Sequence, residues 1–402
     1  MRNRRLDNTL IYTVTILFVL YYILNIIFPT NYYDISDNSH RIYPQIVMAV
    51  LSMVLIITFF VKIRSIIKNS FFIPYIILLL LAALYIFYPL ELKDNLLYFL
   101  RSYMGIVSLF AMYALYLASP KKMSRSIFVI YIFEILFCLA ALIQDKMDFA
   151  AGNSISELFD SNAAFLLTSC IPLSLLIPKK RMRVYVYFLL VAACLYSGQR
   201  SSSLCAVMSL PFAAFILKDS VKRTDVLILC LLLVLLTPMI INSVDNLIAR
   251  NRLDIERGNM GSGRMEFWGI VIQGYLDGNI LQVFFGNGTN SVKHLIEDKY
   301  GLAIGAHNGW LDILYTFGIV GIIPYTIMIF QFLTSSRKYG RRVRHGNLIF
   351  ILMFIIYFIK TSTSHGYPDV SMIPFFSACA ILCAENKINR KLNIINTTVP
   401  LK

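Results

Sequence analysis

Very little in this sequence belongs to familiar catalytic motifs. It has no Gly-x-x-x-x-Gly-Lys-Ser/Thr loop to cradle a nucleotide, no His-Glu-x-x-His to hold zinc and no Gly-x-Ser-x-Gly elbow to present a nucleophilic serine. Clustered metal ligands are missing too, so no metal and no other cofactor is expected. Histidine is scarce, five in 402 residues, which leaves few candidates for a proton acceptor near neutral pH. The stretch 241–306 lacks a close pair of carboxylates of the kind a retaining glycoside hydrolase uses, although residues distant in sequence can still meet in space. All seven cysteines (Cys138, Cys170, Cys194, Cys205, Cys230, Cys379, Cys383) lie within apolar runs, which argues against a disulfide framework. Cys379 and Cys383 share a helix face without histidine or carboxylate neighbours and read as small packing residues. Internal repeats are absent, which disfavours a transporter built from symmetric halves.

Long apolar runs are what the chain does have. Apolar residues make up 58% of it, mean hydropathy is +0.68, and the runs recur from residue 10 to residue 384. A hydrocarbon layer ~30 Å thick needs ~20 apolar residues per crossing, and a helix satisfies its own backbone there. The expected fold class is therefore an all-α polytopic membrane protein with about twelve transmembrane helices. They are expected at 10–28, 43–61, 71–90, 96–118, 126–144, 161–177, 184–198, 202–217, 224–240, 308–333, 347–361 and 370–384. The net charge of +15 does not point to nucleic acid, because the basic residues sit in short clusters between alternate runs. These include Arg2, Arg4 and Arg5; Lys62, Arg64 and Lys68; Lys121, Lys122 and Arg125; Lys179 to Arg183; Lys218, Lys222 and Arg223; Arg337 to Arg344; and Lys387, Arg390 and Lys391. Such alternation orients a membrane protein and places both termini in the cytoplasm. The basic start followed by an apolar run resembles a secretory signal but has no small-x-small cleavage site, so it is read as a retained first span.

The organisation that follows is helices over 1–240, one large outer loop over 241–306, and the last helices with a cytoplasmic tail over 307–402. The loop has soluble patterning and should fold. Trp268, Val271, Ile272 and Tyr275 recur at helical spacing between Arg264 and Asp277, as in an amphipathic helix lying on the membrane surface, with Gly278 as its stop. After the Gly286-Asn287-Gly288 turn, Asn290 can cap a second helix that runs to Tyr300, with Gly301 at its end.

Charges at the outer boundary are the candidates for chemistry. Arg200 ends the short seventh run in Ser197-Gly198-Gln199-Arg200, inside a tight helical hairpin, followed by the hydroxyls of Ser201, Ser202 and Ser203. An intramembrane arginine costs roughly 2.5–3.5 kcal/mol on insertion scales and is a functional candidate by default; the alternative is that it snorkels to a lipid phosphate. Arg264 follows the flexible Gly261-Ser262-Gly263, where a planar guanidinium can grip an anion in bidentate fashion or else pair with Glu266. Arg250, Arg252 and Arg257, offset by Asp254 and Glu256, read as a headgroup-facing stretch. His307 sits where the loop re-enters the bilayer and can act as a base or be structural. Beside it, Asn308 either fixes its orientation or caps the next helix, and Trp310 suits an interfacial belt or stacking against a sugar. Arg101 binds phosphate or pairs with a carboxylate such as Glu91 or Asp94, and Asn162 opens the sixth span beside Asp160. His294 and His365 are weaker candidates.

This inventory suits transfer of a glycan from a pyrophosphate carrier. A pyrophosphate leaves readily once its charge is neutralised, so two arginines and one base suffice.

The same residues carry a resemblance. Ser197-Gly198-Gln199-Arg200-Ser201 after a short span, a large outer loop with Gly261-Ser262-Gly263-Arg264 and Trp268, and Ala306-His307-Asn308-Gly309-Trp310-Leu311 leading into Gly318-Ile319-Val320-Gly321 resemble the O-antigen ligase and polymerase superfamily. Asp160-Ser161-Asn162-Ala163-Ala164 adds to it, and the likeness covers roughly 155–335; Gln199 stands where the family commonly has serine. The resemblance implies a C-type, all-helical membrane glycosyltransferase acting at the outer face of the bacterial inner membrane on undecaprenyl-pyrophosphate-linked glycans. Carried over, Arg200 and Arg264 hold the pyrophosphate and His307 activates the acceptor hydroxyl, with Arg101, Asn162, Ser201, Asn308 and Trp310 around the substrate. The expected activity is a repeat-unit polymerase whose donor and acceptor are both lipid-linked oligosaccharides, with membrane lipids and a chain-length regulator as further partners. The alternatives are a ligase delivering finished glycan to lipid A core, or a flippase for the lipid-linked unit.

Overall fold

The computed structural model describes residues 2–28, 42–67, 71–87, 104–152, 163–218, 251–256, 264–301, 304–339, 343–364 and 372–398, with scattered positions at 95–99 and 237–249. Every regular element among them is helical. The helices are α1 (Arg2–Ile27), α2 (Ile42–Val61), the single turn α3 (Ile63–Ile66), α4 (Phe72–Leu84) continuing as a 3₁₀ turn (Tyr85–Phe87), α5 (Met104–Ala118), α6 (Pro120–Ala150), α7 (Ala163–Ser174), α8 (Lys180–Tyr196) and α9 (Arg200–Leu217). After them come α10 (Arg264–Leu276), α11 (Ile280–Phe285), α12 (Ser291–Tyr300), α13 (Gly309–Tyr339), α14 (Gly346–Thr363) and α15 (Ile373–Thr398). A helix occupies each expected span except the ninth, 224–240, which lies almost wholly outside the described residues. Among the described residues six helices are long and apolar enough to cross a membrane, so the chain is an all-α polytopic membrane protein. Hydroxyls inside the apolar helices bond back to their own backbone, as Ser52 does to the Met48 carbonyl and Thr58 to that of Val54.

α13 and α14 pack antiparallel, with Tyr325 against Thr361, Phe330 against Phe354 and Phe332 against Tyr357. Arg337, Lys338 and His345 consequently share one end of the pair, the basic end, while Gly318 and Thr363 lie toward the other, the loop end. α4 rises beside α13 from Phe71, which meets Phe332, to Tyr85, which meets Phe317.

The structure corrects the expectation of one continuous span over 308–333. Gly318 adopts φ 63°, ψ −157°, which interrupts α13. A straight helix would separate Trp310 from Tyr325 by about 22 Å along its axis, yet their ring centroids are 5.4 Å apart. The piece 309–317 therefore folds back along 319–339, and the latter, at roughly 30 Å, is long enough to span alone. The break is held by the loop. The carbonyls of Tyr315 and Thr316, which lose their helical partners, accept from the backbone N–H groups of Asn287 (2.9 Å) and Gly288 (3.0 Å). The Tyr85 hydroxyl donates to the Phe285 carbonyl, and Thr289 donates back to the Tyr85 carbonyl. A Cβ on Gly318 would lie 2.4 Å from the Phe284 oxygen, and one on Gly286 would lie 2.3 Å from the Thr316 oxygen, so two backbones touch where only glycine fits on either side.

The loop helices fold as expected in part. α10 and α12 match the anticipated positions, and Gly301 takes the left-handed conformation of a C-terminal glycine. Asn290 does not cap α12 with its side chain; it sits at φ 61° and makes a backbone turn instead. α11 was not foreseen, although Asn279 and Gln282 form a reciprocal capping box at its start. Val271, Val292, Ile296, Ala306 and Tyr315 form a small second core joining α10 and α12 to the folded-back piece of α13.

Candidate functional site

The last turn of α14 is where the candidate residues converge. Its terminal carbonyls lack intrahelical partners and carry the negative end of the helix dipole, a natural place for a cation. Arg264, first residue of α10, donates through Nη1 to the Thr363 carbonyl at 2.6 Å. Trp310 donates through Nε1 to the Ser362 hydroxyl at 3.3 Å and lies edge-on between the rings of Tyr325 and Phe358. Tyr325 in turn donates to Thr361. Glu266 accepts from the Tyr300 hydroxyl at 3.2 Å, closing α12 onto α10. Desolvation and that carboxylate push the Tyr300 phenol above its usual range, so it remains a donor.

Because 309–317 folds back, Trp310 lies at the level of Thr361, about 10 Å below Gly318. The His307-Asn308 turn is thereby recessed beside the end of α14. His307 is half-buried and left-handed, at φ 53°, a conformation costing roughly 1–2 kcal/mol in a residue with a Cβ. Its neighbours hold it there. The Ala306 carbonyl accepts from Trp268 Nε1 at 2.9 Å, and the Ala306 N–H donates to Asp312 Oδ1. On the other side, Asn308 Oδ1 accepts from the backbone N–H groups of Trp310 (3.1 Å) and Leu311 (3.3 Å), so of the two roles considered for Asn308 the structure displays the cap.

Arg200 opens α9 after a turn made possible by Gly198 at φ 69°. It forms an ion pair with Asp254, a loop residue 54 positions away, and stays about one-third exposed. Ser201 and Ser202 beneath it are buried. α9 packs on α14, and Cys205 lies within the electrostatic reach of Lys360. Arg200 is thus placed toward the same end as Thr363. Arg101, Asn162 and His365 lie outside the described residues. His294 is on the exposed side of α12, with Nδ1 3.8 Å from Glu297, away from this cluster.

Several residues here were missed. Asp312 is 2% exposed and fixes the His307 loop; its signal was a carboxylate in the first turn of a helix. Ser362 and Thr363 meet Trp310 and Arg264, and Lys360 precedes them inside an apolar run. Glu134, a charge in the middle of the fifth run, was likewise readable as an intramembrane acid.

Residues 185–326 match the family model described as O-antigen ligase. The match takes in Arg200, Arg264, His307, Trp310 and Gly318, and it agrees with the O-antigen ligase and polymerase superfamily. Among curated proteins no match is found. The match covers about a third of the chain and is a likeness to a family of glycan-processing, glycosyltransferase-like enzymes.

Proposed function

With an O-antigen ligase domain at the heart of the chain as the premise, we propose that this protein is a polysaccharide repeat-unit polymerase of the bacterial inner membrane, with both termini in the cytoplasm and the loop end facing outward. The observation that carries the reading is the meeting of Arg264, Trp310 and the recessed His307 turn at the end of α14. His307 takes the proton from a hydroxyl of the acceptor glycan. The resulting oxygen attacks the anomeric carbon of the donor, whose bond to the pyrophosphate oxygen breaks, and the electron pair leaves with the undecaprenyl pyrophosphate. Arg200 and Arg264 neutralise the charge that develops there. A guanidinium presents its N–H donors in one rigid plane, and the bond to the Thr363 carbonyl fixes that plane for Arg264. Ser201 and Asn308 line the approach of substrate, Arg101 and Asn162 are further candidates for binding it, and a chain-length regulator is a further partner.

A second reading has its own support, since the matched model is described as O-antigen ligase. A ligase would use the same site with lipid A core as acceptor.

The Asp254 pairing of Arg200 yields a test. The carboxylate competes with phosphate for one guanidinium, so Asp254→Asn should lower KM for the lipid-linked donor, by about threefold for an exchange at a partly exposed pair. Arg264→Lys keeps the charge but loses the planar fork and should cut kcat/KM about a hundredfold. Initial rates in nanodiscs check both, and an Arg264→Lys enzyme turning over at the wild-type rate would remove Arg264 from the chemistry.

A further inference from the structure

A lysine ammonium sits in the middle of this bundle, where no surface reason explains it. Lys360 is 3% exposed, and its Nζ donates to the Phe165 carbonyl at 2.8 Å and the Ser169 hydroxyl at 2.7 Å, both on α7. Its charge is felt by Glu134 on α6, a residue 1% exposed and beside the Tyr22 hydroxyl of α1. Stability alone does not call for ionisable groups buried this deeply, because well-packed apolar residues commonly replace them at no loss. Charges placed within a membrane bundle mark function by default.

What Lys360 touches says which function. It is followed by Thr361-Ser362-Thr363-Ser364, β-branched and hydroxyl residues with weak helix propensity, at a helix end that would fray if left alone. Yet this turn receives Arg264 on the Thr363 carbonyl and Trp310 on Ser362. The threonine hydroxyls bond back within α14, Thr361 to Tyr357 and Thr363 to Ile359, and Thr361 also accepts from Tyr325 on α13, but none of these contacts ties the turn to the bundle on its other side. Lys360 does, through α7.

We infer that Lys360 is a positioning residue for the site: through its bonds to Phe165 and Ser169 it clamps the last turn of α14 to α7 and so holds Ser362 and the Thr363 carbonyl where Trp310 and Arg264 meet them. The effect on turnover rests on the glycosyltransfer reading above; the clamp itself does not.

The chain has two tryptophans, so Trp268→Phe leaves Trp310 as the sole reporter of the end of α14. In that background both residues are changed together, as Lys360→Met with Glu134→Gln, so that neither ionisable group is left alone in the core. The expected result is a protein that elutes and melts close to its parent while acrylamide quenching of Trp310 rises at least about twofold as the Ser362 contact loosens. Ser169→Ala, which removes one acceptor and leaves Lys360 and Glu134 in place, gives a smaller rise in the same direction and serves if the double variant does not fold. Unchanged quenching in a folded variant overturns the proposal. Where wild-type protein turns over lipid-linked glycan, the double variant should lower kcat about tenfold or more with KM nearly constant, as misplacement of reacting groups does. A quenching rise in a protein that makes no product would leave the clamp standing and sink the enzymatic reading instead.

Discussion

Gly318→Ala should leave almost no folded protein, and Gly286→Ala should do the same. Each glycine has positive φ with ψ near 180°, at 63°, −157° and 80°, −171°, a region essentially only glycine occupies and one that costs an alanine about 1–3 kcal/mol. The greater cost is the approach of the other backbone. A Cβ at 318 meets the Phe284 carbonyl at 2.4 Å, and one at 286 meets the Thr316 carbonyl at 2.3 Å; neither neighbour is the movable end of a side chain. Forcing them apart breaks the bonds from Asn287 and Gly288 that satisfy the interrupted helix, leaving polar backbone groups unpaired where water is scarce. Overpacking, strain and lost hydrogen bonds each amount to roughly 1–3 kcal/mol, which together rivals a typical total stability of about 5–15 kcal/mol. Gly301→Ala is the control, because φ there is 70° and nothing lies within 4 Å of the added atom; it should lower the melting temperature only slightly. Monodisperse yield in detergent and thermal unfolding distinguish the cases.

His307→Ala should reduce kcat by about 10²–10⁴, the usual contribution of a general base, with the protein still made and inserted. Alanine alone does not separate base from backbone, because the residue sits at φ 53° and alanine tolerates that conformation poorly. His307→Asn separates them, since asparagine accepts the left-handed region and carries no basic nitrogen. Equal loss in both variants points to the base. Activity retained in His307→Asn alone would assign the residue a conformational role.

The helical class and the helix positions were legible because a bilayer demands apolar runs of a set length, and Leu, Ile and Phe supply them without ambiguity. α10 and α12 were legible from the spacing of Trp268, Val271 and Tyr275 and from Gly301. The break in α13 was not, because hydropathy averages over residues 308–333 and is blind to one dihedral angle; only Gly318 and Gly321, following bulky Phe317, hinted at a sharp turn. The capping box of α11 was present in Asn279 and Gln282, but a helix of six residues is too short to show a period. The Arg200–Asp254 pair joins residues 54 apart, and no local rule connects them. Arg200, Arg264 and His307 were singled out as unusual charges at a boundary, whereas Lys360 and Glu134 were passed over although they are buried more deeply than any of the three.

The most direct measurement is to give the purified protein in nanodiscs its undecaprenyl-pyrophosphate-linked repeat unit as the only substrate and to resolve the lipid-linked products on a gel. A polymerase with His307 as its base yields a ladder of multiples of the unit with wild-type protein and a single band with His307→Asn. A single band from wild-type protein that is folded and supplied with its native glycan would contradict the account, and transfer of finished glycan to lipid A core would then be the activity to seek.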